Sequence, residues 1–179
     1  MQIIAQEPVL FTGSIRSNLD VENEFEDTDI WKILDLVGLK TYVSELKEKL
    51  DAPVSENGEN LSVGQRQLLC LGRAILKNPV ILVMDEATAS VDAKADTLIQ
   101  KSIKTYFGNS TVISIAHRLN TIADFDRIMV LDNGNLVEFD TPHALLANTN
   151  SLYYKLAEAT GPSNLAFLKE IAKQRFGEK

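Results

Sequence analysis

The sequence lacks any apolar run long enough to cross a bilayer. Residues 80–84 (Val-Ile-Leu-Val-Met) form an apolar run of strand length, whereas a membrane-spanning helix needs about 20 such residues. The N-terminal residues contain no basic segment followed by an apolar core, so we expect no secretory signal there. Any association with a membrane should therefore come through a partner.

Cysteine is also scarce, and acidic residues outnumber basic ones. The single cysteine, Cys70, cannot form an internal disulfide, which fits a reducing compartment. The formal net charge is -7 and no long Lys/Arg cluster interrupts the sequence, which argues against a nucleic-acid surface. The 179 residues, 45% of them hydrophobic, are nevertheless enough for a globular domain with a sizeable core.

Periodicity and capping residues predict the elements of the first half. Asp27 or Thr28 can cap a helix that Gly38 ends. Ser62 followed by Gln65 fits a capping box, so a helix should start there. The predicted elements are a strand end (3–5), three helices (28–38, 41–50, 62–77) and a polar loop (51–60).

The second half alternates strands and helices. The run 80–84 has no polar alternation, which predicts a strand covered on both faces of a parallel sheet. The turn Asp132-Asn-Gly134 favours a β-hairpin. The other predicted elements are helices (93–106, 142–146, 152–159, 164–174), a strand (111–116) and the hairpin strands (128–131, 136–139).

Two acidic residues and one histidine follow the predicted strands. Asp85 and Glu86 stand after residues 80–84, and His117 stands after residues 111–116. Open α/β sheets bind ligands at this carboxyl edge. Asp85 can hold a hard cation and Glu86 can polarise a water, although an acid pair that only caps a helix is the alternative. A lone histidine is more often structural, and His143 keeps that interpretation, whereas the position of His117 favours a functional one.

The start of the helix at Ser62 is a second candidate site. A helix N-terminus offers unpaired N–H groups and partial positive charge to an anion, and Gly64 allows a close approach. The alternative is that Ser62 only caps its helix and that Gly64 is a tolerated helix glycine.

Five short motifs occur in order along the chain: Gln6-Glu-Pro8, Leu61-Ser-Val-Gly-Gln65, Val80-Ile-Leu-Val-Met-Asp-Glu86, Ser90-Val-Asp92 and Ala116-His-Arg118. Taken together, they resemble the nucleotide-binding domain of ATP-binding cassette (ABC) transporters. In that family they are, in the same order, the Q-loop, the signature, the Walker B strand with its following glutamate, the D-loop and the switch histidine. Four further stretches of sequence resemble the second nucleotide-binding domain of multidrug-resistance-associated proteins, which form the C subfamily. They are residues 9–20, 60–69, 117–122 and 138–142. Val63 replaces the first glycine of the commoner signature, a change that the subfamily accepts.

The resemblance implies an α/β fold of the P-loop NTPase type, with a RecA-like parallel sheet core and a helical signature subdomain over about residues 20–78. It implies a partial ATPase domain over residues 1–160 and a C-terminal helical extension over residues 161–179. The implied activity is ATP hydrolysis that drives export of organic anions or conjugates.

The resemblance also implies a role for each motif residue. Glu86 would be the catalytic base, and Gln6 would contact Mg²⁺ and the attacking water. Asp85 would support Mg²⁺, and His117 would contact the γ-phosphate. The signature residues Ser62, Val63, Gly64 and Gln65 would contact the ATP held by a partner domain. Asp92 would lie at the interface between the two domains. The implied partners are a second nucleotide-binding domain and transmembrane domains at the cytoplasmic face of a plasma or vacuolar membrane; the isolated chain should be soluble and cytoplasmic.

The sequence lacks the family's phosphate cradle, G-x-x-x-x-G-K-S/T, since none of its nine glycines is followed by lysine. We therefore expect an N-terminally incomplete domain, with an exposed sheet edge and weak ATP binding when alone. A fragment of a full transporter is the favoured hypothesis. The alternative is a short, non-hydrolysing module that completes another domain's ATP site. DNA-repair and chromosome-structure ATPases share some of these motifs, but no heptads or basic stripe support that class.

Overall fold

The computed structural model of the chain describes residues 1–86, 93–116 and 118–176, without the side chains of residues 93 and 94. The chain divides into two compact units, Met1–Ile115 and Ala116–Lys179. The predicted boundary between residues 160 and 161 stays a prediction.

The first unit contains a sheet and a group of helices. Its elements in chain order are β1 (Gln2–Ile4), β2 (Gly13–Ser14), α1 (Ile15–Leu19), α2 (Asp27–Leu36), α3 (Lys40–Glu45), β3 (Pro53–Val54), α4 (Val63–Lys77), β4 (Ile81–Asp85), α5 (Ala93–Tyr106) and β5 (Thr111–Ile115). Two 3₁₀ turns, Lys49–Asp51 and Glu56–Gly58, lie between α3 and α4.

The sheet of the first unit is parallel, with strand order β1-β4-β5. Ile4 pairs with Met84, and Met84 pairs in turn with Ser114. Strands β2 and β3 form a separate antiparallel pair. The prediction of an α/β fold with a parallel sheet is therefore confirmed, and the strands at 3–5, 80–84 and 111–116 each lie within one residue of their predicted positions.

Among the described residues, one face of this sheet is buried and the other is largely exposed, so the prediction of a strand buried on both faces is wrong. Ile4, Leu82 and Met84 are buried on one face. Side chains of alternate residues point to the opposite face. The exposed apolar residues of the strands are Ile3, Ile81, Ile113 and Ile115. An unbroken apolar run shows that both faces are apolar, but it does not show that an element packs on each.

The helices of the first unit pack closely around α4. A Cβ added at Gly72 would lie 2.9 Å from Leu19 Cδ2 on α1 and 3.1 Å from Ile33 Cγ2 on α2. The absence of a side chain at Gly72 therefore lets three helices approach one another. The buried side chains of this helical region include Leu19, Ile30, Leu34, Val37, Val43, Leu69 and Leu71.

Two predicted helix ends differ from the structure. Glu26, not Asp27 or Thr28, is the N-cap of α2, and its side chain makes no capping hydrogen bond. The predicted helix 41–50 is shorter, because α3 ends at Glu45 and only a 3₁₀ turn follows. Lys49 has φ of +51°, a left-handed conformation that a continuing α-helix does not accept. Gly38 ends α2 as predicted, with φ of +71°.

The second unit combines a hairpin with helices, and its last three helices pack against one another. Its elements are α6 (Leu119–Ile122), β6 (Ile128–Asp132), β7 (Asn135–Asp140), α7 (Pro142–Ala147), α8 (Leu152–Ala159) and α9 (Pro162–Phe176). Their core residues are Ala123, Ile128, Leu145, Leu146, Tyr153, Ala157, Leu168 and Ala172. Because α9 contributes Leu168 and Ala172, it packs as part of this unit.

The predicted hairpin turn is confirmed. Asn133 and Gly134 have φ of +47° and +79°, the pair of positive values that a type I′ turn requires. α9 begins at Pro162, two residues before its predicted start, because proline is favoured at the first helical position. No helix within residues 1–86, 93–116 and 118–176 has the length and apolar character of a membrane span.

Candidate functional site

Gln6 and Glu86, both predicted as site residues, meet at the carboxyl edge of the parallel sheet. Ile4 and Met84 are paired in register, so the residues two positions further along leave the sheet at the same edge. The side-chain amide of Gln6 donates a hydrogen bond from Nε2 to Glu86 Oε2 at 3.2 Å. Two residues separated by 80 positions are thus brought into direct contact.

Glu86 leaves the strand in an unusual backbone conformation. Its φ is +46°, whereas its amide still donates to the carbonyl of Ile115 on β5 at 2.9 Å. A left-handed conformation costs a residue other than glycine roughly 1–3 kcal/mol, and such strain concentrates at functional sites. The left-handed conformation thus occurs at the residue whose carboxylate meets Gln6.

Asp85 is the last residue of β4, and its side chain is exposed at the same edge. In the described part of the chain, no group of three or more His, Cys, Asp or Glu side chains is arranged to hold a metal. Mg²⁺ is commonly bound by only one or two carboxylates together with waters and substrate phosphates. Asp85 and the amide oxygen of Gln6 are oxygen donors of the type that such binding uses.

The start of α4 has the predicted capping box. Ser62 Oγ accepts from the Gln65 amide at 3.2 Å, and Gln65 Oε1 accepts from the Ser62 amide at 2.8 Å. The capping interpretation of Ser62 is therefore confirmed. It does not exclude an anion, because a serine hydroxyl that accepts one hydrogen bond still has a proton to donate. Ser62 is exposed, and the N–H groups of Val63 and Gly64 come before the first intrahelical hydrogen bonds.

Gln67 is a site residue that the sequence analysis missed. It lies in the second turn of α4, and its Nε2 donates to the carbonyls of Ala5 at 3.0 Å and Gln6 at 3.3 Å. Its side chain shares the buried stripe of α4 with Cys70 and Ala74. A polar residue on an otherwise apolar helix stripe was the available signal, because such a residue needs a partner.

Arg73 lies about one and a half turns beyond Gln67 on α4 and forms hydrogen bonds to the chain that follows residues 5 and 6. Its Nε donates to the carbonyl of Asn18 at 2.7 Å, and its Nη1 donates to the carbonyl of Val9 at 3.3 Å. The guanidinium also lies over the ring of Phe11, 5.6 Å from its centroid. α4 therefore fixes the backbone of the chain that follows β1.

Cys70 lies between these contacts and is buried. Burial raises the pKa of its thiol, an effect that the nearby charge of Arg73 and the contact from Sγ to the carbonyl of Val9 at 3.7 Å oppose only partly. A buried thiol with a raised pKa is poorly nucleophilic, so we assign it a packing role.

Two predicted site residues, Asp92 and His117, lie outside the described residues. Of the others, the structure brings Gln6, Asp85 and Glu86 to one sheet edge. Ser62, Val63, Gly64 and Gln65 form the first turn of α4 with its cap.

A parallel sheet with acidic residues at its carboxyl edge and a capped helix beside it is the arrangement of an α/β domain that binds its ligand at the ends of the strands. A solved structure described as a bacterial Atm1-family ABC exporter with ATP bound is similar to this chain with a TM-score of 0.81 and 32% identity, over 90% of this chain and 28% of that one. Residues 1–89 match the family model described as ABC transporter. The chain belongs to the ABC transporter family.

Curated relatives narrow the likeness to one subfamily. ATP-binding cassette sub-family C member 4 of Mus musculus is 55% identical over 97% of this chain, and ABC transporter C family member 12 of Dictyostelium discoideum is 52% identical over 98%. The chain spans 13% of the length of each of these relatives.

Proposed function

We propose that this chain is part of the ATP-hydrolysing domain of an ABC exporter of the multidrug-resistance-associated type. The contact between Gln6 and Glu86 at the sheet edge carries the proposal, because it joins a carboxylate and a water-orienting amide where a phosphoryl group would bind. In this function, ATP hydrolysis drives the export of organic anions or conjugates. The similarity to sub-family C members over nearly the whole chain supports this class of exporter.

Each residue of the sheet edge has a separate role in this proposal. Glu86 takes the proton of the attacking water as general base, and Gln6 orients that water. Asp85 and Gln6 hold Mg²⁺, which when bound neutralises charge on the phosphates. His117 contacts the γ-phosphate.

The first turn of α4 acts on a different nucleotide. Ser62, Val63, Gly64 and Gln65 present N–H groups, a hydroxyl and an amide to ATP held by a second nucleotide-binding domain. Asp92 lies at the seam between the two domains. The chain works with transmembrane domains on the cytoplasmic side of a plasma or vacuolar membrane.

A second candidate function is a non-hydrolysing module that completes another domain's ATP site. The observation that supports it is the first turn of α4, which is complete with its cap and can act on a nucleotide held by another domain. The two candidates differ in whether Glu86 takes part in hydrolysis.

The test uses a transporter in which this chain replaces the matching segment of human ATP-binding cassette sub-family C member 4, 54% identical over 174 residues. Glu86→Gln should slow ATP hydrolysis by roughly 10²- to 10⁴-fold while ATP binding is retained. Glu45→Gln, an exposed glutamate at the end of α3, is the matched control. Unchanged turnover in Glu86→Gln would contradict the hydrolytic function and favour the non-hydrolysing module.

A further inference from the structure

Within the part of the chain that the structure describes, the buried side-chain amide of Gln67 forms hydrogen bonds through its nitrogen but not through its oxygen. The residue is 2% exposed, and while its Nε2 donates to two carbonyls, its Oε1 is buried and accepts no hydrogen bond from the described residues. A buried polar atom without a partner is unfavourable, and an apolar side chain of the same length would avoid it. The packing of α4 therefore does not explain a glutamine at position 67, whereas the two hydrogen bonds that it donates do explain it.

Those two hydrogen bonds reach a part of the backbone that the sheet does not pair. The β1-β4 ladder ends at Ile4 and Met84, so Ala5 and Gln6 lie beyond its last pair. Within the described residues, the side-chain hydrogen bonds to the backbone of residues 5 and 6 both come from Gln67. The hydrogen bonds of Arg73 and Cys70 to this segment reach its backbone from Val9 onward. Gln67 is thus placed to set the backbone at Gln6.

The contacts continue from Gln6 to the sheet edge. The Gln6 side chain donates to Glu86, whose amide is anchored on Ile115. At the other end, Gln67 lies two residues after Gln65, which closes the cap of α4. A shift of the start of α4 would therefore move Gln67, and with it the backbone that carries the Gln6 amide.

We propose that Gln67 is a positioning residue that holds the backbone of Ala5 and Gln6 so that the Gln6 amide reaches the Glu86 carboxylate. It links the helix that begins with the signature motif to the sheet edge of the same domain. The catalytic consequence rests on the proposed function of Gln6 and Glu86, whereas the structural link does not.

The structural link is tested on the chain itself by the NMR signals of the Gln6 side-chain amide. Glu86→Ala first shows how far these signals move when the hydrogen bond to Glu86 is lost. Gln67→Met, which removes the donor and fills the same space, should move them in the same direction by at least half as much. Gln174→Met, the same change on α9, is the control and should leave them in place.

Unmoved Gln6 signals in Gln67→Met would overturn the proposal. Should Gln67→Met fail to fold, Gln67→Asn provides the same test, because its amide is one methylene too short to reach both carbonyls. Unmoved Gln6 signals in that variant would count equally against the link.

The catalytic consequence is tested in the chimaeric transporter described above. Gln67→Met should lower kcat for ATP hydrolysis by roughly 10- to 100-fold and leave KM for ATP within about twofold, since it misplaces a group that acts in the transition state. Loss of activity in Glu86→Gln with full activity in Gln67→Met would refute the positioning role alone. Full activity in Glu86→Gln would refute the proposed function instead, while the NMR result would stand.

Discussion

Replacing Glu138 by glutamine should weaken the start of α8. Glu138 on β7 accepts hydrogen bonds from Ser151 Oγ at 2.9 Å, the Leu152 amide at 2.7 Å and the Tyr153 amide at 3.2 Å. Ser151 is the N-cap of α8, so the carboxylate lies at the positive end of the helix. Glutamine keeps one acceptor oxygen but loses the charge. Because charge-assisted hydrogen bonds are roughly twice as strong as neutral ones, the cost should be about 1–2 kcal/mol.

The effect of Glu138 should depend on pH. Burial opposes its ionisation, but the hydrogen bonds from Leu152, Tyr153 and Ser151 and the charge of Lys155 outweigh burial and hold the pKa below its usual value of 4.5. The folded-state pKa is therefore lower than the unfolded one. The stabilisation is complete above the unfolded value and is lost as the pH falls through the folded value. The difference between wild type and Glu138→Gln should shrink accordingly in acid.

Hydrogen exchange of the Leu152 and Tyr153 amides measures this effect locally. A loss of about 1–2 kcal/mol corresponds to roughly 5- to 30-fold faster exchange at neutral pH. Glu158→Gln is the matched control, an exposed glutamate on the same helix. Equal exchange in the two variants at neutral pH would refute the capping role. A difference that persists unchanged at pH well below 4.5 would refute the contribution of the charge.

Two further predictions concern α4, and both are measured by urea unfolding followed by the fluorescence of the single tryptophan, Trp31. Gly72→Val should lower the free energy of unfolding of the first unit by about 1–3 kcal/mol through overpacking. Gly108→Val is the control and should not lower it, because no atom lies within 4 Å of the added Cβ. Equal urea midpoints in the two variants would show that the helices can separate at no cost. Ser62→Ala should cost about 1 kcal/mol through loss of the cap, and Ser62→Asp should restore most of it. A similar loss in both Ser62 variants would mean that the cap is not the cause.

Local sequence signals predicted the local structure well. The capping box at Ser62 and Gln65 and the turn at Asn133 and Gly134 depend on neighbouring residues only, and both were confirmed. The family resemblance, carried by short motifs in order, correctly predicted the fold class. These features need no knowledge of what else packs nearby.

Features that depend on distant partners were missed or wrong. Gln67 contacts Ala5 across 62 positions, and no local pattern identifies that partner. The run 80–84 showed that both faces of β4 are apolar, but the covering of a face depends on elements elsewhere in the chain. The left-handed backbone of Glu86 was likewise not predictable, because a glutamate does not favour that conformation.

The burial of Cys70 has a practical consequence for studies of motion. A buried thiol with a raised pKa reacts slowly with maleimides and nitroxide reagents near neutral pH. A cysteine introduced at an exposed position, such as Ser62 or Glu158, can therefore be labelled selectively with the natural cysteine left in place. Spectroscopic distances from the signature helix then become accessible without disturbing the packing between α4 and the chain that follows β1.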